Sequence, residues 1–321
     1  MLKKIAFRHV PFDADQRAKL DEIAKAAGYE TLWCGAEMPT VEDLYDCECL
    51  LGYFPPDMMK ELPGLKWLQT PAAGVEKLCG DIYANPDVVL CNCSGVFGID
   101  ISEYMICGIL MIMRHMKGYV GNMRSHSWDN LGVGHAIYGS TACVIGCGNI
   151  GQNVAARLKA LGAACVRGLD RTNVAPTADF DEMYANEDFE KALAGADIVT
   201  ASLPNTPATR ELISAAHFDA MKDGAVFVNA GRGLTVDQKA LTANLASGKL
   251  AGAVLDVFQV EPLPEDDPLW DLDNVVVTPH VAGWDDDPVN ILSMFKIFEE
   301  NLNRWIAGES LTHVVDRARG F

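Results

Sequence analysis

Short apolar runs rich in Val, Ile and Ala alternate with helix-like stretches from one end of the chain to the other. A strand that is apolar on both faces must be covered on both faces, and parallel sheets achieve this by returning the chain through helices. The pattern therefore predicts strand-helix-strand units and the α/β fold class. The 321 residues suffice for two domains, because a single domain usually holds about 100 to 200 residues.

The apolar runs form two series. The first consists of KKIAFRHV, YETLWC, LLGYF, KWLQTP and VVLCNCSG, with a helix predicted from Asp13 to Ala27 and ended by Gly28. The second consists of six runs, which are TACVIG, AACVRGLD, ADIVTASL, AVFVNA, AGAVLDVF and NVVVTPH. Six strands with intervening helices predict a doubly wound sheet of the Rossmann type. The first series predicts a smaller open sheet of the flavodoxin-like type.

Two helices outside these series decide the domain organisation. A helix predicted from Ile99 to His115 is apolar on nearly all sides, so we expect burial all round, within the fold or against a second subunit. Residues 289–307 carry an apolar stripe at helical spacing, which we expect to return to the first sheet. The chain is thus predicted to be two-lobed, with a discontinuous smaller domain of residues 1–98 and 285–321, a Rossmann domain of residues 99–284, and a ligand crevice between them.

The charge of the chain restricts its partners. A formal net charge of -18 opposes binding to nucleic acid and to anionic membranes, and an anionic substrate would need a cation within its own site. The longest apolar run, from Tyr104 to Met113, is about half of what spans a bilayer. The amino-terminal MLKKIAFRHV is too soon interrupted by charge to resemble a signal peptide. We therefore expect a cytoplasmic protein with no nucleic-acid or membrane partner.

The ten cysteines lie between Cys34 and Cys165, in two C-x-C pairs and singly, without the C-x-x-C spacing of zinc sites. We expect them to be reduced thiols that are buried as small apolar side chains, with no metal bound.

A glycine pattern follows the first strand of the second series. Gly146, Gly148 and Gly151 stand in G-x-G-x-x-G spacing, directly after TACVIG and at the start of a predicted helix. The first glycine allows a tight turn, the second lets the backbone approach a pyrophosphate, and the third lets the helix pack against the strand. The next strand ends in Asp170, nineteen residues beyond Gly151, where a carboxylate can accept hydrogen bonds from ribose hydroxyls. The predicted cofactor loop is Gly146, Gly148, Asn149, Ile150 and Gly151; the alternative is a glycine turn in an ordinary parallel sheet.

The residue that ends this strand also bears on the choice of cofactor. Asp170 would repel a ribose 2'-phosphate, which favours NAD over NADP. The neighbouring Arg171 either pairs with that phosphate or stacks on the adenine, so NADP stays open as the alternative.

Polar residues follow three late strands. Arg232 follows AVFVNAG, Asp256 ends AGAVLDV, His280 follows NVVVTP, and Glu261 stands five residues beyond Asp256. The carboxyl ends of parallel strands meet at one edge, so all four could face one crevice. Reduction of a 2-oxo acid needs an arginine to hold the carboxylate, a histidine to protonate the new alkoxide, and a carboxylate to favour the imidazolium and orient it. The alternatives are a solvated arginine, a turn histidine, a surface glutamate and a capping aspartate.

Five stretches together resemble one family. VIGCGNIG, ASLPNTPATREL, VNAGRG, AVLDVFQVEPLP followed by DPLW, and VVVTPHVAG are similar to the successive signatures of the D-isomer-specific 2-hydroxyacid dehydrogenases, from about Gly95 to Gly283. The resemblance implies that Arg232, Glu261 and His280 are catalytic and that Asp256 contacts the nicotinamide carboxamide. It further implies a cofactor lined by Leu203, Pro204, Ala230 and Gly231.

The first domain carries a weaker part of the resemblance. QTPAAGVEKL resembles the substrate loop of the family, in which the amides of Ala73, Gly74 and Val75 would bind the substrate carboxylate; an ordinary turn is the alternative. Tyr53, Phe54 and Trp284 are candidates for the pocket wall, with burial in the core as the alternative. The family also implies a homodimer through the helix after Gly98.

The resemblance predicts an NAD-dependent 2-oxo acid reductase, with glyoxylate, hydroxypyruvate or larger apolar 2-oxo acids as candidate substrates. Formate is not expected, because Glu261 replaces the glutamine of formate dehydrogenases, and phosphoglycerate is not expected, because residues 51–71 supply lysines and no arginine. The alternative is an NAD-sensing, corepressor-like binding protein of the same fold, which we disfavour because such relatives carry long tails.

Overall fold

The computed structural model describes residues 3–35, 37–171 and 177–320. The chain divides into two compact units: unit 1 is Met1–Phe97 with Trp284–Phe321, and unit 2 is Gly98–Gly283. Within these described ranges, each unit contains one parallel sheet. The predicted α/β fold class is therefore confirmed.

Strands and helices alternate in both units. The strands are β1 (Lys3–Arg8), β2 (Tyr29–Cys34), β3 (Cys47–Gly52), β4 (Trp67–Gln69), β5 (Val89–Cys91), β6 (Thr141–Ile145), β7 (Cys165–Asp170), β8 (Glu182–Ala185), β9 (Ile198–Ala201), β10 (Ala225–Asn229), β11 (Leu250–Leu255) and β12 (Val275–Val277). The helices are α1 (Ala14–Ala26), α2 (Val41–Leu44), α3 (Gly98–Met113), α4 (Met116–Ser125), α5 (Asn149–Ala160), α6 (Phe189–Leu193), α7 (Ala215–Ala220), α8 (Gln238–Ala246) and α9 (Pro288–Ala307). Short 3-10 helices occur at Pro56–Glu61, Glu76–Leu78, Asn186–Asp188, Gly233–Thr235 and Pro268–Asp271.

Unit 1 is a five-stranded sheet in the order β2-β1-β3-β4-β5. The carboxyl-terminal helix α9 belongs to this unit and packs near α1, where the ring of Phe12 meets Phe295 and Phe298 edge-on at centroid distances of 5.5 and 5.1 Å. The helix ends at Ala307 and is capped by Gly308, whose φ of 71° is a conformation that glycine adopts without strain. The apolar stripe of residues 289–307 thus has its partner surface within unit 1.

Unit 2 is a seven-stranded sheet in the order β12-β11-β10-β9-β6-β7-β8. Successive residues of β6 point to opposite faces, so that Cys143 and Ile145 join one core cluster while Ala142 and Val144 join the other. The strand order reverses between β6 and β9. In a doubly wound sheet, the carboxyl edge at such a reversal is where ligands bind.

The described part of unit 2 has one strand more than the six that the sequence predicted. The additional strand β8 pairs with β7 at the edge of the sheet and has the sequence EMYA. Its first three residues are at least partly exposed, so it lacks the continuous apolar run that marked the other strands.

The helix after Gly98 is not buried on all sides within a single chain, so of the two predicted alternatives only burial against a second subunit stays a prediction. One face of α3 is tightly packed, since a Cβ added to Gly108 would lie 2.5 Å from a methyl carbon of Val254 in β11. The opposite face is open: Ile99 is 46% exposed and Cys107 is exposed. Cys107 also departs from the expectation of buried thiols, whereas Cys143 is fully buried. All ten cysteines are free thiols.

Within residues 3–35, 37–171 and 177–320, we find no helix with the length and apolar character needed to cross a membrane.

Candidate functional site

The glycine loop of unit 2 combines a tight approach with an open space. A Cβ on Gly151 would lie 2.0 Å from the carbonyl oxygen of Gly146, so α5 begins in direct contact with the loop. A Cβ on Gly148 would meet no atom within 4 Å. Gly148 is the N-cap of α5 and makes no side-chain capping bond. The open space therefore lies at the amino end of a 12-residue helix, whose first amides favour an anion.

Asp170 is held beside this loop. It ends β7, which pairs with β6, and its Oδ2 accepts a hydrogen bond from the amide of Cys147 at 3.1 Å. Its Oδ1 accepts a hydrogen bond from the amide of Arg171 at 2.6 Å. A glycine-lined space at a helix amino terminus, with a carboxylate beside it, fits the pyrophosphate and ribose of a dinucleotide.

The predicted cofactor-lining segments lie next to the loop. Leu203 and Pro204 follow β9, and Ala230 and Gly231 follow β10, the neighbouring strand. A Cβ on Gly231 would lie 2.6 Å from the amide nitrogen of Leu203, so the two segments are in contact. Because β9 is also paired with β6, these residues share the carboxyl edge with the glycine loop.

The backbone around Arg232 is fixed by two residues that the sequence analysis did not identify. The side chain of the buried Asn229 accepts a hydrogen bond from the amide of Gly231 at 3.1 Å and donates one to the carbonyl of Arg232 at 3.2 Å. The hydroxyl of Thr235 donates to the same carbonyl at 2.6 Å. A polar residue that ends an otherwise apolar strand, as Asn229 does, is a signal that the sequence contained.

His280 and Glu261 form a direct pair in unit 2. The distance between His280 Nδ1 and Glu261 Oε2 is 2.7 Å. The other carboxylate oxygen, Oε1, accepts a hydrogen bond from the amide of Phe258 at 2.9 Å, so the carboxylate is itself held in place. His280 has a φ of 57°, a left-handed conformation that is uncommon for a residue with a side chain and is often found at functional sites. The structure therefore joins two of the predicted catalytic residues.

Asp256 organises the segment that carries His280. Its carboxylate is buried and accepts hydrogen bonds from the Thr278 hydroxyl at 2.5 Å, the Val281 amide at 2.8 Å and the Ala282 amide at 2.9 Å. Because Thr278 donates to Asp256, the hydroxyl of Tyr104 donates to Thr278, at 2.6 Å. Burial raises the pKa of Tyr104 to about 12, so that it keeps this proton near neutral pH. Tyr104 and Thr278 were not singled out from the sequence.

The predicted substrate loop lies in unit 1, after β4. Ala73 is exposed, whereas Val75 is buried. The Asn92 side chain donates to the carbonyl of Ala73 at 2.8 Å, and the amide of Cys93 donates to the carbonyl of Ala72 at 3.1 Å. These bonds engage carbonyl oxygens of the loop, whereas the prediction concerns the amides of residues 73–75. The loop thus belongs to unit 1, whereas the predicted catalytic residues Arg232 and His280 follow strands β10 and β12 of unit 2.

Comparison with known proteins places the chain in a family. Residues 106–282 match the family model described as D-isomer specific 2-hydroxyacid dehydrogenase, NAD binding domain. A glyoxylate reductase from Korarchaeum cryptofilum is 30% identical over 288 residues, which cover 86% of this chain and 85% of that protein. A D-3-phosphoglycerate dehydrogenase from Methanocaldococcus jannaschii is 30% identical over 81% of this chain, but the chain spans only 49% of that protein's length.

A solved structure agrees over the whole chain. The NADPH-dependent glyoxylate/hydroxypyruvate reductase from Sinorhizobium meliloti, in complex with NADP and sulfate, superposes with a TM-score of 0.81 at 28% identity and covers 100% of both chains. The sequence resemblance is thereby confirmed, and the chain belongs to the D-isomer-specific 2-hydroxyacid dehydrogenase family of oxidoreductases.

Proposed function

We propose that this protein reduces a small 2-oxo acid to the 2-hydroxy acid, using a nicotinamide cofactor and the residues Arg232, Glu261 and His280. The observation that carries the proposal is the His280–Glu261 pair, 2.7 Å apart at the carboxyl edge of a dinucleotide-type sheet. The family assignment and the reductase names of two relatives support the same chemistry.

In this mechanism, His280 is the proton donor. Glu261 engages Nδ1, so the opposite ring nitrogen, Nε2, is the one that meets the substrate carbonyl oxygen. The carboxylate stabilises the imidazolium and fixes the orientation of the ring. A bound nicotinamide supplies hydride chemistry at the carbonyl carbon. In the oxidative direction, His280 accepts the proton of the hydroxyl group.

Arg232 binds the substrate carboxylate. A guanidinium forms paired hydrogen bonds with a carboxylate, and the bonds from Asn229 and Thr235 fix the backbone that presents it. In a chain with a net charge of -18, this local cation is what makes an anionic substrate acceptable. In unit 1, we assign the amides of Ala73, Gly74 and Val75 to carboxylate binding.

NAD is the proposed cofactor. The loop Gly146, Gly148, Asn149, Ile150 and Gly151 would hold the pyrophosphate, and Asp170 the adenosine ribose. The hydrogen bonds from the amides of Cys147 and Arg171 keep the Asp170 carboxylate beside the loop, where it would repel a 2'-phosphate. The S. meliloti relative is NADPH-dependent, and Arg171 is the residue through which NADP would be accommodated here.

The quaternary structure that we propose is a homodimer. The open face of α3 and the segment after it, residues 114–138, expose large apolar side chains on unit 2, which a second copy would cover. The most exposed of these are Met123 at 75%, Trp128 at 101%, Val133 at 84% and Tyr138 at 81%.

The deciding experiment is oxidation of NADH, and of NADPH in parallel, followed by absorbance. The substrates are glyoxylate, hydroxypyruvate, pyruvate, and branched and aromatic 2-oxo acids. We expect turnover of glyoxylate or hydroxypyruvate with a preference for NADH. A faster reaction with NADPH would contradict the cofactor proposal, and binding of NADH without turnover of any substrate would contradict the reductase proposal.

The mechanism is tested by His280→Gln in the same assay. Loss of a positioned acid typically lowers the rate by about 10² to 10⁴-fold, so we expect a fall of that size in kcat. The affinity for NADH, measured by fluorescence titration, should stay within about twofold, because His280 is assigned to the substrate. An equal loss of kcat and of NADH affinity would indicate misfolding. Unchanged turnover would rule His280 out as the acid.

A further inference from the structure

A tyrosine–aspartate pair lies at the carboxyl edge of the unit 1 sheet, where the predicted substrate loop also begins. Tyr53 directly follows β3, and the predicted substrate loop follows β4, the next strand. Since β3 and β4 are parallel, both segments leave the sheet at the same edge. The Tyr53 hydroxyl donates a hydrogen bond to Asp285 Oδ2 at 2.5 Å, although 232 residues separate the two.

The backbone of Tyr53 is held rigidly. Its amide donates to the carbonyl of Arg8 at 3.1 Å, and the guanidinium of the buried Arg8 donates to the carbonyl of Tyr53 at 2.5 Å. The preceding Gly52 has a φ of 130°, and a Cβ there would lie 1.7 Å from the carbonyl oxygen of Arg8. The position of the Tyr53 hydroxyl, and hence of Asp285, is therefore fixed by the sheet.

The pair carries one negative charge. Burial raises the pKa of Tyr53 far above its usual range, and its hydrogen bond with Asp285 adds to this effect, so the phenol keeps its proton. Burial also raises the pKa of Asp285, helped by the neighbouring Asp286, while the hydrogen bond from Tyr53 opposes the shift. A partly desolvated carboxylate has a strong electrostatic effect on its surroundings, because water screens it poorly.

Cys93 connects this charge to the predicted substrate loop. Its amide donates to the carbonyl of Ala72 at 3.1 Å, so it borders the loop directly. Burial raises the pKa of the Cys93 thiol, and the negative charge of Asp285 raises it further. Tyr53, which holds Asp285, and the loop leave adjacent parallel strands at one edge of the sheet, and the Asp285 charge acts on a residue that borders the loop. Both observations support a position of the negative charge near the loop within unit 1.

We propose that the Tyr53–Asp285 pair selects substrates by charge: it excludes 2-oxo acids that carry a second anionic group and accepts those whose far end is neutral. The inference rests on the proposed function, in which the loop holds the first carboxylate. A second carboxylate or a phosphate would meet Asp285 with like charge, whereas a hydroxyl group can donate a hydrogen bond to it. This reasoning favours hydroxypyruvate and disfavours oxaloacetate, which differ only in the group attached to C3.

The test compares kcat/KM for hydroxypyruvate and for oxaloacetate at pH 8, where the carboxylates are ionised. Asp285→Asn removes the charge and keeps the shape, and we expect the preference for hydroxypyruvate to fall by at least about tenfold. Asp286→Asn is the matched control: it removes the same charge from the exposed neighbour and should change the preference by less than about threefold. Tyr53→Phe keeps the charge but removes the hydrogen bond that positions it, so the preference should fall by less than in Asp285→Asn.

An unchanged preference in Asp285→Asn would overturn the inference, as would an equal change in Asp286→Asn, which would indicate a bulk charge effect. Calorimetric titration of the cofactor-bound protein with oxamate, a monoanion, and tartronate, a dianion, tests the same selectivity without turnover. Stronger tartronate binding to Asp285→Asn than to the unmodified protein supports charge selection even if no 2-oxo acid is reduced. Equal tartronate affinity in both proteins contradicts it even if glyoxylate is reduced.

Discussion

Two glycines of the cofactor loop, three residues apart, have opposite spatial requirements. Gly151 has no room for a side chain, because its Cβ would overlap the carbonyl oxygen of Gly146 at 2.0 Å. Gly148 has no neighbour within 4 Å of an added Cβ, and its φ of -71° suits any residue. The packing of the protein therefore requires glycine at position 151. At position 148, glycine is required only if a ligand occupies the adjacent space.

This difference predicts opposite phenotypes for the two alanine variants. Gly151→Ala should lower the free energy of unfolding by about 2 kcal/mol, since helix α5 must shift to accept the methyl group. Gly148→Ala should leave it within about 0.5 kcal/mol but weaken NADH binding, because the methyl group would occupy the proposed pyrophosphate space. Urea unfolding and NADH titration measure the two effects. A stable Gly148→Ala with unchanged NADH affinity would place the pyrophosphate elsewhere.

At the scale of elements, Asp197 ties three neighbouring strands together at the amino edge of the unit 2 sheet. It immediately precedes β9, accepts a hydrogen bond from the amide of Thr141 in β6 at 2.9 Å, and binds Lys222, just before β10, at 2.5 Å. Burial alone would raise the pKa of Asp197, but the bonds from Lys222 and Thr141 outweigh it and hold the pKa below the usual value of 3.8.

A pKa that is lower in the folded state stabilises the protein above the unfolded pKa, and the effect is lost as the pH falls through the folded pKa. Asp197→Asn should therefore lower the free energy of unfolding by about 1 kcal/mol at pH 7. The difference should shrink as the pH is lowered below about 4. Chemical unfolding at several pH values checks this, with the exposed Asp219→Asn as control. A difference that stays constant down to pH 3 would contradict the electrostatic origin.

The elements that the sequence predicted correctly are those with a strong local signal. The strands of the unit 2 core are continuous apolar runs, and the residues after them stood out because they were polar, which is how Arg232, Asp256 and His280 were identified. Strand β8 was missed because EMYA is short, partly exposed and at the sheet edge, where one neighbour is enough. Local pattern is a weak guide there.

Contacts between residues that are far apart in the sequence were harder to predict. The bond between Tyr53 and Asp285 joins residues 232 positions apart, and neither apolar spacing nor charge indicates such a partner. Glu261 was expected beside His280 because the proposed chemistry needs a carboxylate next to the histidine, and the structure has the two side chains 2.7 Å apart. The requirements of the proposed reaction indicated this contact, which local sequence pattern alone could not.

At the scale of the whole molecule, charge and apolar exposure act against each other. A net charge of -18 makes two copies repel, so association requires a substantial apolar surface. The exposed side chains of Met123, Trp128 and Val133, together with the open face of α3 at Ile99, provide one on unit 2. Contiguous apolar patches larger than a few hundred Å² are rare on monomers, and we propose that these side chains form such a patch.

We therefore expect sedimentation equilibrium to give twice the mass of the chain, and the double variant Met123→Asp/Trp128→Asp to sediment as a monomer. Each copy would bring two added carboxylates into an apolar interface, where they would be desolvated without a partner. This costs several kcal/mol and outweighs the gain from the remaining contacts. The matched control is Met38→Asp/Tyr45→Asp, which adds the same charge at apolar side chains of unit 1 that are 52% and 56% exposed. If both double variants dissociate, general charge repulsion is the cause; if neither does, the dimer uses another surface; and if only the first dissociates, the face formed by α3 and the segment after it is the interface.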